Sequence, residues 1–546
     1  MGSSPTTASP RSVLGSLAPH VLTVLGLHLV VQLVVGRGVW TVDEGAYLMQ
    51  SSWVVDGHWT ESLPDSSFGG TAELPVVAAP IQNGTIVDET SWSAYPRHPG
   101  YPAALAGART LAGDLGPPLV SIVAAIVASV FVALSVRRSP IAAFWLANLA
   151  TPLFFHAQIV WAHSLGVASA AVATYGLLRA KRTGPDRVGL ASVVIGLASG
   201  SIFRTESLIF AIAVVMVVGL DWLRNSRQLR TLSLPIAAVV GLVAGVAIDT
   251  VWRTAALHGV VTAASSTNVS AVSPTERLSA LFSMSLGMGA APGSALARLL
   301  LAVALVVAVR AHRQGDRIPR ALFVIPIVLS VVAMHSPQQV GLLVASPLVL
   351  LGLLLSRRDD DTVLLGAVVG LYLLGVVGTM YAPDAGLDYG GRLFLAAAPA
   401  FVVLATPSLV DFAKHYGRTA VGTMAAVVAL QLGAGWYKVY DSHQSSRAIV
   451  AELEQLTSSH AGALFVAPEI RSGRIAWELY PAGIVTVKPE QVGPFIAGRT
   501  MSDQVWIIGS GYSLEWVTRQ IPAGWHAVET NSGRYVNAVS IAPIES

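Results

Sequence analysis

Cysteine is absent from all 546 residues, and only 12% of them are charged. The first absence excludes disulfides, thiol catalysis and thiolate metal sites, and leaves the redox compartment open. The second excludes an ordinary soluble chain, in which about 25% of residues are charged. Fixed-spacing motifs are missing too. There is no HExxH and no Walker loop, and the acids Asp56, Glu61, Asp65, Glu73, Asp88, Glu89 and Asp114 have no dependable metal-ligand spacing. No cofactor is therefore expected; a divalent cation is possible and not indicated. The net charge of +3 is too small to mark a nucleic-acid partner. Its excess lies in short loops between apolar runs, where membrane topology accounts for it.

What is present is apolar sequence: 53% of residues are hydrophobic and the mean hydropathy is +0.61. Runs of about 17 to 25 apolar residues can cross a bilayer as helices. They recur at 20–37, 118–136, 140–157, 161–178, 188–203, 206–222, 232–252, 295–310, 319–335, 338–356, 362–381, 393–410 and 419–437. The sequence thus predicts a polytopic α-helical membrane protein of about 13 transmembrane helices. Small-residue cleavage signals do not follow the first run; Gly36-Arg37-Gly38-Val39-Trp40 does, so an uncleaved first span is expected.

Cations set the orientation. Arg137-Arg138, Arg179 to Arg187, Arg224 to Arg230, Arg310 to Arg320, Arg357-Arg358, and Lys414 with Arg418 fall in alternate loops. By the positive-inside rule those loops are cytoplasmic. The expected divisions are a cytoplasmic tail (1–19), a transmembrane domain (20–438) with a large first outer loop (38–117), and an extracytoplasmic domain (439–546). That last part changes character. Short apolar runs at 463–467, 484–487, 505–509 and 536–541 read as buried strands, with a helical pattern at 446–457, so a small α/β domain is expected. Gly509-Ser510-Gly511 after a strand is a fragment of a nucleotide-binding turn, and reads more simply as a strand–loop–helix turn.

Four polar elements stand beside the apolar runs, all on the expected outer side. Asp43-Glu44 follows the first span. Tyr95-Pro96-Arg97-His98-Pro99-Gly100-Tyr101-Pro102 closes the first outer loop, its prolines stiffening the return to the membrane. Arg204-Thr205-Glu206 sits between two spans with almost no loop, where charge is costly and pairs or lines a polar cavity. Asp388-Tyr389-Gly390-Gly391-Arg392 precedes a late span, with Arg392 at a helix start suited to an anion. Each has a structural reading as well: solvated acids, a proline turn, an Arg204–Glu206 ion pair, a snorkelling arginine. His156, Trp161 and His163 could add polar contacts, but satisfied interfacial residues are the simpler reading.

In order and placement these elements resemble the GT-C class of membrane glycosyltransferases, in particular protein O-mannosyltransferases and lipid A aminoarabinose transferases. The resemblance implies inverting transfer from a polyprenyl-phosphate sugar donor to a hydroxyl-bearing glycan, lipid or protein acceptor. Asp43 would be the catalytic base; Glu44, Arg97, His98, Arg204, Glu206 and Arg392 would bind substrate. The motif His98-Pro99-Gly100-Tyr101-Pro102 departs from relatives with consecutive prolines. The implied setting is the plasma membrane and envelope synthesis, and the abundance of arginine over lysine suggests an actinobacterial source with mannose or arabinofuranose as the sugar. Three other readings stay open: a secondary transporter, which would show inverted halves with charges near the midplane; an O-antigen-ligase-type enzyme, with its reactive groups in a late outer loop; and a non-catalytic scaffold or receptor that binds through the outer α/β domain.

Overall fold

The structure, a computed structural model, describes residues 10–35, 39, 42–62, 85–87, 91–95, 97–225, 231–257, 272–287, 341–379, 391–469, 472, 475–487, 489–497 and 504–544, with short helical pieces between 303 and 331. It is a helical membrane body followed by a small sheet domain. The first helices in chain order are α1 (Pro10–Val35), α2 (Val42–Val55), α3 (Gly100–Ala112), α4 (Gly116–Ser135), α5 (Pro140–Leu149) and α6 (Leu153–His156). Next come α7 (His163–Thr183), α8 (Arg187–Phe203), α9 (Thr205–Asn225), α10 (Ser233–Ala256) and α11 (Pro274–Leu286). Helices Pro347–Leu355, Asp360–Thr379, Ala398–Tyr416 and Arg418–Ser459 complete the body.

Among the described residues, 7 helices are long and apolar enough to cross a membrane, and Pro140–Leu149 and Arg187–Phe203 are shorter apolar helices. The protein is a multi-pass membrane protein. The expected spans 295–310 and 319–335 lie mostly outside the described residues. The expected span 140–157 is not one helix, because Pro152 and the Thr151 turn separate α5 from α6.

Packing follows side-chain size. Along α10, Gly241, Gly245 and Asp249 are buried, while Val239, Val243, Val246 and Val251 on other faces are exposed. In lipid the exposed valines face hydrocarbon and the small residues let helices approach. A Cβ on Gly245 would lie 2.7 Å from the Ala198 carbonyl oxygen of α8.

One end of the bundle collects the cationic loops. Arg182 donates to Asp361 at 2.8 Å, Arg137 reaches the same carboxylate at 3.9 Å, and Lys181 pairs with Asp221 at 3.0 Å. Loops far apart in sequence are therefore neighbours at that end. Asp43, His98, Arg204 and Arg392 are absent from this set.

Two departures from the sequence reading shape the other end. The segment expected as the first outer loop, 38–117, contains α3, joined to α4 by a short turn at Gly113–Leu115. Pro102 lies in the first turn of α3, where a missing N–H costs nothing. The loop also carries a three-stranded antiparallel sheet of β1 (Glu61–Ser62), β2 (Thr85–Ile86) and β3 (Ser91–Ser93) in the order β1-β3-β2. The second departure is Arg418–Ser459, one helix of 42 residues that crosses the expected 438/439 boundary without a break. No glycine or proline occurs between Gly435 and the helix end at Ser459, and Val439, His443, Ser446, Ile449, Leu453 and Leu456 continue a buried stripe at helical spacing.

The C-terminal domain is a five-stranded mixed sheet in the order β5-β4-β6-β8-β7. β4 (Leu464–Ala467), β5 (Ile484–Thr486) and β6 (Val505–Ser510) are parallel; β8 (Val536–Pro543) pairs antiparallel with β6 and with β7 (Trp525–Ser532). β7 is the strand the sequence hid, because its run WHAVETNS is almost wholly exposed. Ser510 of the Gly-Ser-Gly turn is buried, its hydroxyl 3.2 Å from the Glu469 carboxylate and 2.9 Å from the Ser472 hydroxyl. That closed network accounts for the turn without a nucleotide.

Candidate active site

Asp43 and Glu44 occupy the first turn of α2, where carboxylates favour the helix dipole. They point to different places. Glu44 is buried and accepts a hydrogen bond from the Val160 N–H at 3.3 Å. Asp43 is partly exposed and lies 3.8 Å from a terminal nitrogen of Arg392.

Arg392 opens a 3₁₀ turn, Arg392–Ala397, that leads into Ala398–Tyr416. Its neighbour Gly391 has φ +57 and lies so close to α11 that a Cβ would fall 2.1 Å from the Met284 carbonyl oxygen, so no other residue fits. The Tyr372 hydroxyl donates to the Leu393 carbonyl and ties the same turn to helix Asp360–Thr379. The guanidinium carbon of Arg392 lies 5.0 Å from the Trp161 ring centroid, within cation–π range. Asp388, Tyr389 and Gly390 lie outside the described residues.

Arg204 is the single extended residue between α8 and α9. It forms a two-point pair with Glu206 at 2.8 and 2.7 Å. Around it the packing is tight: a Cβ on Gly166 of α7 would lie 3.5 Å from the Arg204 side chain and 2.9 Å from the Ser207 hydroxyl oxygen. Arg204, Glu206 and Arg392 line one small cavity of about 10 Å³, room for one water, with His163, Ser207 and Tyr372. Three of the sequence-chosen residues thus share a cavity, and a fourth, Asp43, is at ion-pair distance from one of them.

The proline-rich segment is placed differently. His98 Nδ1 lies 3.1 Å from Asp249 of α10, and its Nε2 lies 3.0 Å from the Thr205 hydroxyl. Arg97 is partly buried nearby, close enough to influence Tyr47 and Tyr95 electrostatically, but it does not line the Arg204–Arg392 cavity. Burial holds the Tyr47 hydroxyl above its ordinary range, and burial with the nearby Tyr47 does the same to Tyr95. Both phenols stay protonated beside Arg204.

Sequence reasoning missed Asp249 and Tyr372 and set His163 aside. Asp249 had a signal: it continues the Gly241-x3-Gly245 stripe by one more helical turn. His163 is 4% exposed, its ring nitrogens have no hydrogen-bond partner, and its ring lies 4.2 Å from Trp161. Among the described residues no three metal-ligating side chains gather in one group.

Two larger spaces flank the site. A cavity of about 480 Å³ is bounded by Glu44, Gln158, Arg109, Arg447 and Trp477, between the membrane body and the start of the sheet domain. An open apolar groove of about 550 Å³ runs between α9 and α10, lined by Leu208, Ile212, Leu242, Val243, Val246, Ala247, Thr250 and Val251.

No family model matches the sequence, and no curated protein does. Solved structures do match. ArnT from Cupriavidus metallidurans in the apo state is similar over 96% of this chain and 98% of its own, at 10% identity and a TM-score of 0.50. An Archaeoglobus fulgidus oligosaccharyltransferase tethered with an acceptor peptide aligns over 90% of this chain and 69% of its own, at 11% identity and a TM-score of 0.47. The chain has the GT-C type of membrane fold.

Proposed function

We propose that this protein is an inverting glycosyltransferase that moves a sugar from a polyprenyl-phosphate donor to a hydroxyl acceptor at the extracytoplasmic face of the plasma membrane. The observation that carries the reading is the meeting of Asp43 with Arg392 at 3.8 Å, beside the cavity that Arg392 shares with Arg204. Such transfer needs a base for the acceptor's proton and cations for the departing phosphate.

In this reading the donor phosphate replaces Asp43 as the partner of Arg392 and frees the carboxylate. The acceptor O–H gives its proton to Asp43 while its oxygen bonds to the sugar's anomeric carbon. The bond from that carbon to the phosphate oxygen breaks on the opposite face, and its electron pair leaves with the polyprenyl phosphate. Arg392 and Arg204 meet the charge that grows there. Phosphate is already a good leaving group, so a second carboxylic acid of the glycosidase kind is not needed.

The flanking spaces support this division of labour. The apolar groove begins one turn beyond Arg204, at Leu208, and suits an isoprenoid tail. The 480 Å³ cavity falls within the usual range for small-ligand sites, about 300–1,000 Å³, and its carboxylate, amide and guanidinium lining suits a hydroxyl-bearing acceptor. The proposed sugar is of the mannose or arabinofuranose class. Incubating membranes containing the protein with radiolabelled polyprenyl-phosphate mannose or arabinofuranose tests the reading. Label passing to a new product supports it; full recovery of label on both donors, beside an active control transferase, overturns it.

A further inference from the structure

Asp249 is an acid within an apolar helix of 24 residues, a placement that insertion energetics disfavours unless the charge has a partner. Its partner comes from a loop about 150 residues earlier. Asp249 Oδ1 faces His98 Nδ1 at 3.1 Å, with both side chains largely buried at 10% and 13% exposure. A carboxylate can only accept, so Nδ1 carries the proton. The other ring nitrogen, at 3.0 Å, engages the hydroxyl of Thr205, which adjoins Arg204.

Two backbone approaches hold this chain of contacts in register. A Cβ on Gly100, two residues after His98, would fall 2.5 Å from the Ile202 side chain and 3.3 Å from its carbonyl oxygen. The first outer loop is thus seated on the turn that carries Arg204. Gly241 and Gly245 bring α10 against α8, and Asp249 is one turn further along the same buried stripe. Helices α3 and α10 thus both pack against the last turns of α8, just before the extended Arg204.

We propose that Asp249 is a positioning residue for Arg204, acting through His98 and Thr205. It touches no reacting atom. It fixes the α8–α9 turn so that the Arg204 guanidinium faces the cavity shared with Arg392. This rests on the transferase reading for the consequence in turnover, though not for the geometry.

The test compares Asp249→Ala, Asp249→Asn, Thr205→Val and the double variant Asp249→Ala/Thr205→Val in detergent-solubilised full-length protein. A misaimed phosphate partner lowers kcat by about 10- to 100-fold and raises donor KM only a few-fold, because Arg392 still holds the phosphate. Asn keeps an acceptor for the imidazole N–H and retains most of the activity. The double variant is no worse than the worse single one, because both break the same chain. Thr205 is exposed, so Thr205→Val folds even where Asp249→Ala does not. Hydrogen exchange over residues 203–208 gives a readout without turnover, and it quickens in Asp249→Ala or Thr205→Val. Additive losses in the double variant, or unchanged kcat and exchange in Thr205→Val, overturn the proposal. Faster exchange in the variants of a protein that transfers no sugar overturns the transferase reading and leaves the positioning role standing.

Discussion

At the scale of single residues, the site is a set of charges that hold one another in place. Arg392 is fixed on three sides: Gly391 seats its backbone against α11, Tyr372 ties its turn, and Trp161 stacks on its guanidinium. A lysine would keep the charge and lose the planar stack and the fork. Arg392→Lys is expected to lower kcat by about 100-fold, as for removal of one transition-state donor, with little change in membrane insertion. Steady-state kinetics beside a size-exclusion profile checks it. Glu206 has a different duty. It neutralises Arg204 through two hydrogen bonds in a largely buried place, so Glu206→Ala strands a cation there. The expected loss is about 3 kcal/mol of stability, read as a lower thermal midpoint in detergent.

At the scale of elements, what was legible and what was not separate on physical grounds. Apolar length showed the helices that lipid surrounds, since their composition alone places them. Arg204-Thr205-Glu206 was legible because charge between two spans is costly, and Arg392 because a glycine preceded it at a helix start. β7 was hidden by its exposed, polar run, and α3 by Pro102 and its glycines. The pairing of Asp249 was hidden for another reason: although its stripe was legible, its partner, His98, is distant in sequence, and only the closeness of α10 to α8 brings them together. That closeness yields a prediction. A valine at Gly245 must displace the Ala198 backbone, which a Cβ already meets at 2.7 Å. Gly245→Val is expected to cost about 1–3 kcal/mol by overpacking, and to lower transfer by moving Asp249 from His98. Parallel melting and activity assays measure both. The groove between α9 and α10 is testable in the same way. Ile212→Trp fills its wall and is expected to raise KM for long-tailed donors while sparing short-tailed ones.

At the scale of the whole molecule, the fold sorts its charged groups by end. The cationic loops pair among themselves at one end through Asp361, Asp186 and Asp221, while Asp43, Arg204 and Arg392 meet elsewhere, beside a cavity that reaches the sheet domain. The long helix Arg418–Ser459 joins the membrane body to that domain without a hinge, and Arg447 donates to the Val35 carbonyl at the end of α1. Trp477 of the sheet domain packs against the cluster of Ala46, Met49, Trp53 and Trp92, which seats the domain on the first outer loop.

In the proposed reaction Asp43 accepts the acceptor's proton in a site built around an anionic lipid. Its most direct test is Asp43→Asn, with turnover and donor binding measured on the same purified, full-length protein. Sugar transfer is expected to be lost while polyprenyl-phosphate still binds, since Arg204 and Arg392 remain. Transfer by Asp43→Asn at the wild-type rate would contradict it.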